Sequence, residues 1–550
     1  MPRDSKQNRR SFLGKTAAVG STLAMGSMAG CADDDPDDGN GNGAAPDELG
    51  EQVQELTYLN NPQDYSPQRH DAINFIGERL EEVGFDVNVE VQEWGTLFSR
   101  VVDEQDYDLA TWWTFFFAEV GDGLLEHFHS NGGSNYYNYE NPELDEKLDE
   151  QMATPDPDDR RELIHEIQQT LMDDVPKMPL AHMEAPNLYN ANVIQNWEPH
   201  IRGFNSYFNM TSLEVEGTDT ISAAWPEAMG HLNIYAWSGE SKLRYQFNML
   251  FDRLIHIDGD YEIDLDLGLA TDYELPDEET VIYEFRDHTF HDGEEVTAED
   301  VAFSFNYVVE NEIPVFIDQT RYIDEAEVID DNTVQINLSQ PLGPVHLFLG
   351  HEIPIVPKHI WEDIDDPVQQ ETTDDIVIGS GPMEFDYWDE GSELGLTRND
   401  DHFVGVDFEN RYWRIIPETS TVFQLLEDEE LTYEPFGRVA RRTQELLEED
   451  NHLDAAQQLS SDFWHFSMNT DTLDDVQLRK AAVEALPRSG IVEQFIFGFA
   501  QRGFNVVSPA FGDLHTDDVT EYEESVDAAR DRLADAGYGW DDDGLLHHPE

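Results

Sequence analysis

The feature that most limits what this chain can become is its charge. With 118 Asp+Glu against 31 Lys+Arg, it carries a formal net charge of -87. At low ionic strength such self-repulsion opposes any compact state. In molar salt the Debye length falls to about 3 Å and the repulsion is largely screened. The acids run through the whole sequence instead of forming one tail. They read as an adaptation to high salt, with a specific cationic partner as the other explanation. Hydrophobic residues make up 39% and aromatics 11% of the 550 residues, enough for two or three lobes with packed cores. Nucleic-acid binding is excluded because no basic surface is left to neutralise phosphates. The same abundance of carboxylates hides any catalytic acid–base pair.

Cys31 is the single cysteine, so the chain has no internal disulfide and no paired-cysteine zinc motif. It follows Met28-Ala29-Gly30, after Arg9-Arg10 and a weakly apolar stretch over 16–30. This pattern resembles a twin-arginine export signal ending in a lipobox, with Met28 where Leu is usual. Residues 1–31 are therefore expected to be the signal, and Cys31 to carry lipid. The alternative is a free cytosolic cysteine beside a chance Arg-Arg pair. Residues 32–54 begin acidic and Gly-rich and are expected to form a disordered tether. Elsewhere no apolar run approaches the ~20 residues of a spanning helix. The expected location is the outer face of the cell membrane, reached by a lipid anchor only.

From residue 55 the pattern is α/β. Glu55-Leu56-Thr57-Tyr58-Leu59 predicts a strand, and Ala72, Ile73, Ile76 and Leu80 a helix that ends at Gly84. Alternation over 85–91 and again over 106–113 predicts two more strands, giving a β-α-β-α-β lobe with crossover helices. Residues 142–173 read as helix broken around Pro155 and Pro157. A second α/β stretch begins near Ile221. It holds a strand at 281–285 and a helix start at Thr297-Ala298-Glu299-Asp300 that is close to a capping box.

FHDGEEVTAEDVAFSF (290–305) resembles the signature stretch of the peptide/nickel-type (dipeptide/oligopeptide) solute-binding proteins of ABC transporters. FDRLIHIDGDYEIDLDLGLA (251–270), GSGPMEFDYWDEGSELGLTRNDDHF (379–403) and LDDVQLRKAAVEALPRSGIVEQFIFGFA (473–500) resemble further segments of that family, in its order. The continuation expected after 536–544 stands instead at the other end. ELTYLNNPQDYSPQRHDAINFIGERLEEVGFDVNVEVQEWGTLFSRV (55–101), YDLATWW (107–113), FHSNGGSNYYNYENPELDEKLDEQ (128–151) and VPKMPLAHM (175–183) resemble it. The resemblance thus implies a circular permutant of haloarchaeal type. Residues 55–211 would be the family's usual C-terminal part, 212–220 a joint, and 221–550 its usual N-terminal and middle part. A misassembled gene is the alternative. The implied fold is a two-lobed, periplasmic-binding-protein-like (Venus flytrap) α/β architecture with an extra subdomain. The implied function is capture of a peptide or similar small solute by a monomer, delivered to permease and ATPase subunits on separate chains.

Such a protein closes two lobes on its ligand, and its cleft walls are mostly apolar with a few placed polar groups. Three stretches fit this description: Trp112, Trp113, Phe116 and Phe117 running into Glu119 and Asp122; Tyr235 and Trp237; and Trp464, Phe466 and Asn469. Each could equally be core. Peptide-binding relatives often pair an Asp with the peptide's amino group at the place held here by Phe117, so a sugar-like or apolar solute is also in play, with Glu119 or Asp122 as substitute acids. His291-Asp292-Gly293 reads as a turn before a helix, and Asp541-Asp542-Asp543-Gly544 lacks calcium-loop spacing. No Walker A, GxSxG or HExxH pattern is present. Neither metal nor cofactor nor catalysis is expected. The competing classes are a signalling receptor module and a secreted carboxylate-dependent hydrolase.

Overall fold

The computed structural model describes residues 49–63, 65–114, 119–226, 229–236, 244–437 and 441–549, with the side chains of 244–246 left undescribed. The expected signal residues Arg9, Arg10 and Cys31, together with Phe116, Phe117 and Trp237, lie outside these residues.

The first strand, Leu56–Asn60, leads into the helix Pro67–Val83, whose Ala72, Ile73, Ile76 and Leu80 are buried. Gly84 ends that helix with a left-handed φ of 116°, a conformation that costs glycine little. The chain returns through Val87–Val91, parallel to the first strand, and then through Leu109–Thr114 on its other side. This is the expected crossover unit. The sheet continues with strands from distant parts of the sequence, in the order Val87–Val91, Leu56–Asn60, Leu109–Thr114, Phe463–Met468, Lys177–Met183, Ala500–Arg502. Phe463–Met468 is antiparallel to both of its neighbours. One lobe is therefore built jointly from the residues up to about 183 and from those after 460, mostly around one apolar core.

The intervening residues build the second lobe around another core. Ala270–Asp277, Thr280–Phe285, Thr333–Leu338 and Ile323–Asp330 form an antiparallel sheet in that order, with the helix Ala298–Glu310 packed on it. Thr297 caps this helix, and a reciprocal bond from Asp300 completes a capping box. Met383–Asp389, Glu393–Arg398, Asn410–Ile415 and Thr220–Trp225 form a second sheet, whose last two strands run parallel.

Two segments carry the chain between the lobes. Lys177–Met183 continues into Asn187–Asn190, and Leu453–Ala456, antiparallel to the latter, continues into Phe463–Met468. Between them, Met183 N donates to Asp462 O at 3.2 Å and Ser460 N donates to Met183 O at 3.0 Å. The segments flanking residues 50 and 548 are also paired. Val53 N donates to Leu546 O at 2.8 Å, and His548 N to Glu51 O at 2.9 Å.

Among the described residues no helix is long and apolar enough to cross a membrane.

Candidate functional site: the cavity between the lobes

Where the two crossing segments leave the first lobe they border a cavity of about 600 Å³. Met183, Ala185, Asn187, Gln458 and Ser460 to Asp462 form its hinge side, with Trp113 and Trp464 from the first lobe beside them. Residues 200–208, Asn248, His256, His351 and 435–437 form the opposite side. The volume lies within the usual ~300–1,000 Å³ of small-ligand sites.

Trp113 and Trp464 sit on paired strands directly across from each other. Their rings meet edge to face, with centroids 5.2 Å apart. Apart from Trp464, the polar complement comes from residues that sequence patterns did not single out. Tyr207 Oη, Asn248 Oδ1, His256 Nε2 and Trp464 Nε1 are buried without a hydrogen-bond partner among the described residues. Leaving such atoms unpaired costs about 1–3 kcal/mol each, so they are poised for a ligand to satisfy. Tyr207 stacks on His256 at 3.8 Å. Burial, with nearby Arg253, holds His256 well below the ordinary histidine range, so its ring is neutral near pH 7. Burial and then Arg202 lower His200 to about 4. Arg202 itself pairs with the buried Glu352 at 3.0 Å.

Asp462 is the carboxylate on the hinge side. Burial pushes it up to about 7, against the hydrogen bond it accepts from Ser461 Oγ at 3.2 Å. Among the described residues no cation pairs with it, so it takes on negative charge at a cost that a positively charged ligand group would remove.

The other expected site residues go elsewhere, for identifiable reasons. Successive residues of a strand point to opposite faces, so Trp112 leaves the cavity when Trp113 enters it. Trp112 stacks on Trp94 at 5.0 Å, and Trp94 on Tyr65 at 5.0 Å, with the Arg69 guanidinium 5.0 Å from the Trp94 ring centre. Phe466 is buried in the first lobe, edge-on to Tyr58. Asn469 fastens the strand end by donating to Tyr107 O at 3.0 Å and Gln105 O at 3.1 Å. Tyr235 lies in the second core with its ring 4.8 Å from that of Trp361. Glu119 caps the helix Val120–Phe128 through the amides of Gly121 and Asp122, and pairs with Arg160 at 2.8 Å. Asp122 lies 3.6 Å from Arg321, and burial followed by Asp318 raises its carboxyl to about 8. Neither acid is among the described residues bordering the cavity: Glu119 pairs within the first lobe and Asp122 pairs with Arg321 of the second.

Residues 264–549 match the sequence profile described as bacterial extracellular solute-binding proteins, family 5 middle. The chain belongs to this family. Among curated family-5 relatives, the oligopeptide-binding protein AppA of Bacillus subtilis is 27% identical over 293 residues, 52% of this chain and 51% of AppA. The dipeptide-binding protein of Escherichia coli is 23% identical over 292 residues, 49% of this chain and 54% of that protein. The chain thus matches about half the length of these relatives. A solved AppA structure in complex with a nonapeptide aligns at 21% identity and a TM-score of 0.45, over 60% of this chain and 66% of that one. The expected family and its two-lobed α/β class stand.

Proposed function

We propose that this protein captures a small, amine-bearing solute, a short peptide being the first candidate, in the cavity between its lobes and hands it to an ABC importer. The observation that carries this reading is the cavity itself. It lies where two chain crossings join two lobes, and its wall combines an aromatic pair, unpaired buried polar atoms and one carboxylate. A ligand touching both sides stabilises the closed arrangement by its differential affinity. Trp113 and Trp464 supply apolar contact, Tyr207, Asn248 and His256 the hydrogen bonds, and Asp462 the partner of the ammonium. The names of the peptide-binding relatives support peptide as the solute class.

The finer features belong to the same proposal. The permease and ATPase are separate chains, the protein is a monomer without catalytic activity, and Cys31 carries the lipid that anchors it outside the membrane. The acidic composition suits a high-salt medium. The chain order is a circular permutation of the family's. Support for this comes from the pairing of 50–53 with 546–548 and from the central sheet shared by early and late segments.

The test is calorimetric titration in molar salt at pH 8 with short peptides whose N-terminus is free or acetylated. A charged pair in a desolvated site is worth about 2–5 kcal/mol when one partner is removed. Free-amine peptides should therefore bind at least tenfold more tightly than acetylated ones, and Asp462→Asn should abolish the difference. Equal binding of both forms to the unaltered protein would remove Asp462 from the recognition scheme.

A further inference from the structure

Away from the cavity, three side chains from separate segments converge inside the second lobe. Asp252 follows the helix Arg244–Leu250, His288 follows the strand Thr280–Phe285, and His402 follows the strand Glu393–Arg398. Their ligand atoms all lie within 4.8 Å of one another. None of the three borders the cavity between the lobes. His402 Nε2 is 3.1 Å from Asp252 Oδ1, and His288 Nε2 is 3.5 Å from Asp252 Oδ2. A fourth atom closes the group: Ser380 O is 2.7 Å from His288 Nε2.

The proton positions make this arrangement informative. His402 Nδ1 stands 2.7 Å from Val404 O and 3.0 Å from Val404 N. With its proton on Nδ1, His402 donates to Val404 O and turns the Nε2 lone pair toward Asp252, open to a cation; with its proton on Nε2, it donates to Asp252 while Nδ1 accepts from Val404 N. His288 Nε2 likewise faces two oxygens, Asp252 Oδ2 and Ser380 O. Metal-ligating histidines characteristically donate their other ring N–H to a backbone carbonyl or carboxylate, and Val404 O stands 2.7 Å from His402 Nδ1 to accept it. In a tetrahedral shell with metal–ligand bonds of about 2.0–2.1 Å, neighbouring ligand atoms stand about 3.4 Å apart. The 3.1 and 3.5 Å separations between the imidazole nitrogens and the Asp252 oxygens are close to that value, whereas the 2.7 Å from His288 Nε2 to Ser380 O is a hydrogen-bond distance.

We propose that Asp252, His288 and His402 hold a divalent transition-metal ion of the zinc class. One carboxylate and two neutral imidazoles suit such an ion, whereas calcium and magnesium favour oxygen-only shells. The ion would tie the segment after 250 to turns from both sheets of the second lobe, a structural role that is independent of what the cavity binds.

The experiment uses the full chain without a histidine tag. It is purified from zinc-supplied cells, dialysed in molar KCl and assayed for metals by plasma mass spectrometry beside His402→Gln. The surface acids hold cations weakly, so the comparison with the variant isolates the site. One equivalent of transition metal in the unaltered protein, lost in His402→Gln and retained in Asp462→Asn, is the expected result. Chelator-treated protein given Co²⁺ should also develop visible absorption bands and a raised Tm. Should His402→Gln fail to fold, the Co²⁺ titration of the unaltered protein decides alone. Equal metal in the unaltered protein and the His402→Gln variant would overturn the site. So would the absence of both a band and a Tm shift, which would leave the group as a hydrogen-bonded cluster around Asp252.

Discussion

At residue 462 partial burial raises the carboxyl group to about 7, whereas an unfolded Asp ionises near 3.9. The folded state therefore takes up a proton that the unfolded chain does not hold between these values. The cost of ionising Asp462 appears as pH rises above about 4 and is complete above about 7. In the ligand-free protein, the Tm of Asp462→Asn relative to the unaltered chain should rise between pH 5 and pH 8, by differential scanning calorimetry in molar salt. A constant difference across that range would mean that Asp462 already has a charge partner. A cationic ligand acts in the opposite sense, so its affinity should weaken as pH falls through about 7. Sequence reading could not have picked this residue out, because 118 acids look alike until burial separates them. Trp113 and Trp464 were legible as aromatics at strand ends. Their neighbours Trp112 and Phe466 were equally good candidates, since a period of two says that faces alternate without saying which one borders a cavity. Glu119 caps the helix that follows it, a role that an acid ahead of any helix can take and that sequence alone does not separate from ligand binding. Asp252, His288 and His402 gave no motif at all, being brought together only by the packing of two sheets.

Elements were the most readable level. The crossover unit, the stop at Gly84, the break between Pro142–Met152 and Pro157–Asp174 and the capped start of Ala298–Glu310 all follow from local chemistry. In Ala298–Glu310 the Thr297 hydroxyl accepts from Asp300 N at 3.3 Å, and Asp300 Oδ2 accepts from Thr297 N at 2.9 Å. Asp300 Oδ1 also accepts from Lys358 N at 2.9 Å, so the cap is tied to a distant turn. Thr297→Ala should cost about 1 kcal/mol, and Asp300→Ala more, because it frees two further amides. Chemical denaturation in molar salt measures both. Equal losses would mean that the Lys358 contact contributes nothing. The sequence did not reveal which strands join which sheet. Phe463–Met468 pairs with Leu109–Thr114 from the far end of the chain, a pairing with no local signature.

For the whole molecule, the two lobes follow from length and α/β pattern, and their sharing of early and late segments follows from the chain order. A gene that begins at 218, runs to 549 and continues directly into 50–217 should give the same fold. The pairing of 50–53 with 546–548 places the new joint, and Gly217, at φ 79° in an exposed turn, places the new ends. Matching circular dichroism and ligand affinity would support the permuted order, whereas an insoluble or unfolded product would count against it.

Native mass spectrometry of the protein, purified gently from a salt-adapted host, tests most directly the claim that the cavity is a solute site. The account predicts a small amine-bearing adduct, a peptide ladder or a single mass, released on unfolding and diminished in Asp462→Asn. Only ligand-free chain, followed by a broad peptide and amine screen that moves neither the Tm nor the Trp fluorescence, would contradict it.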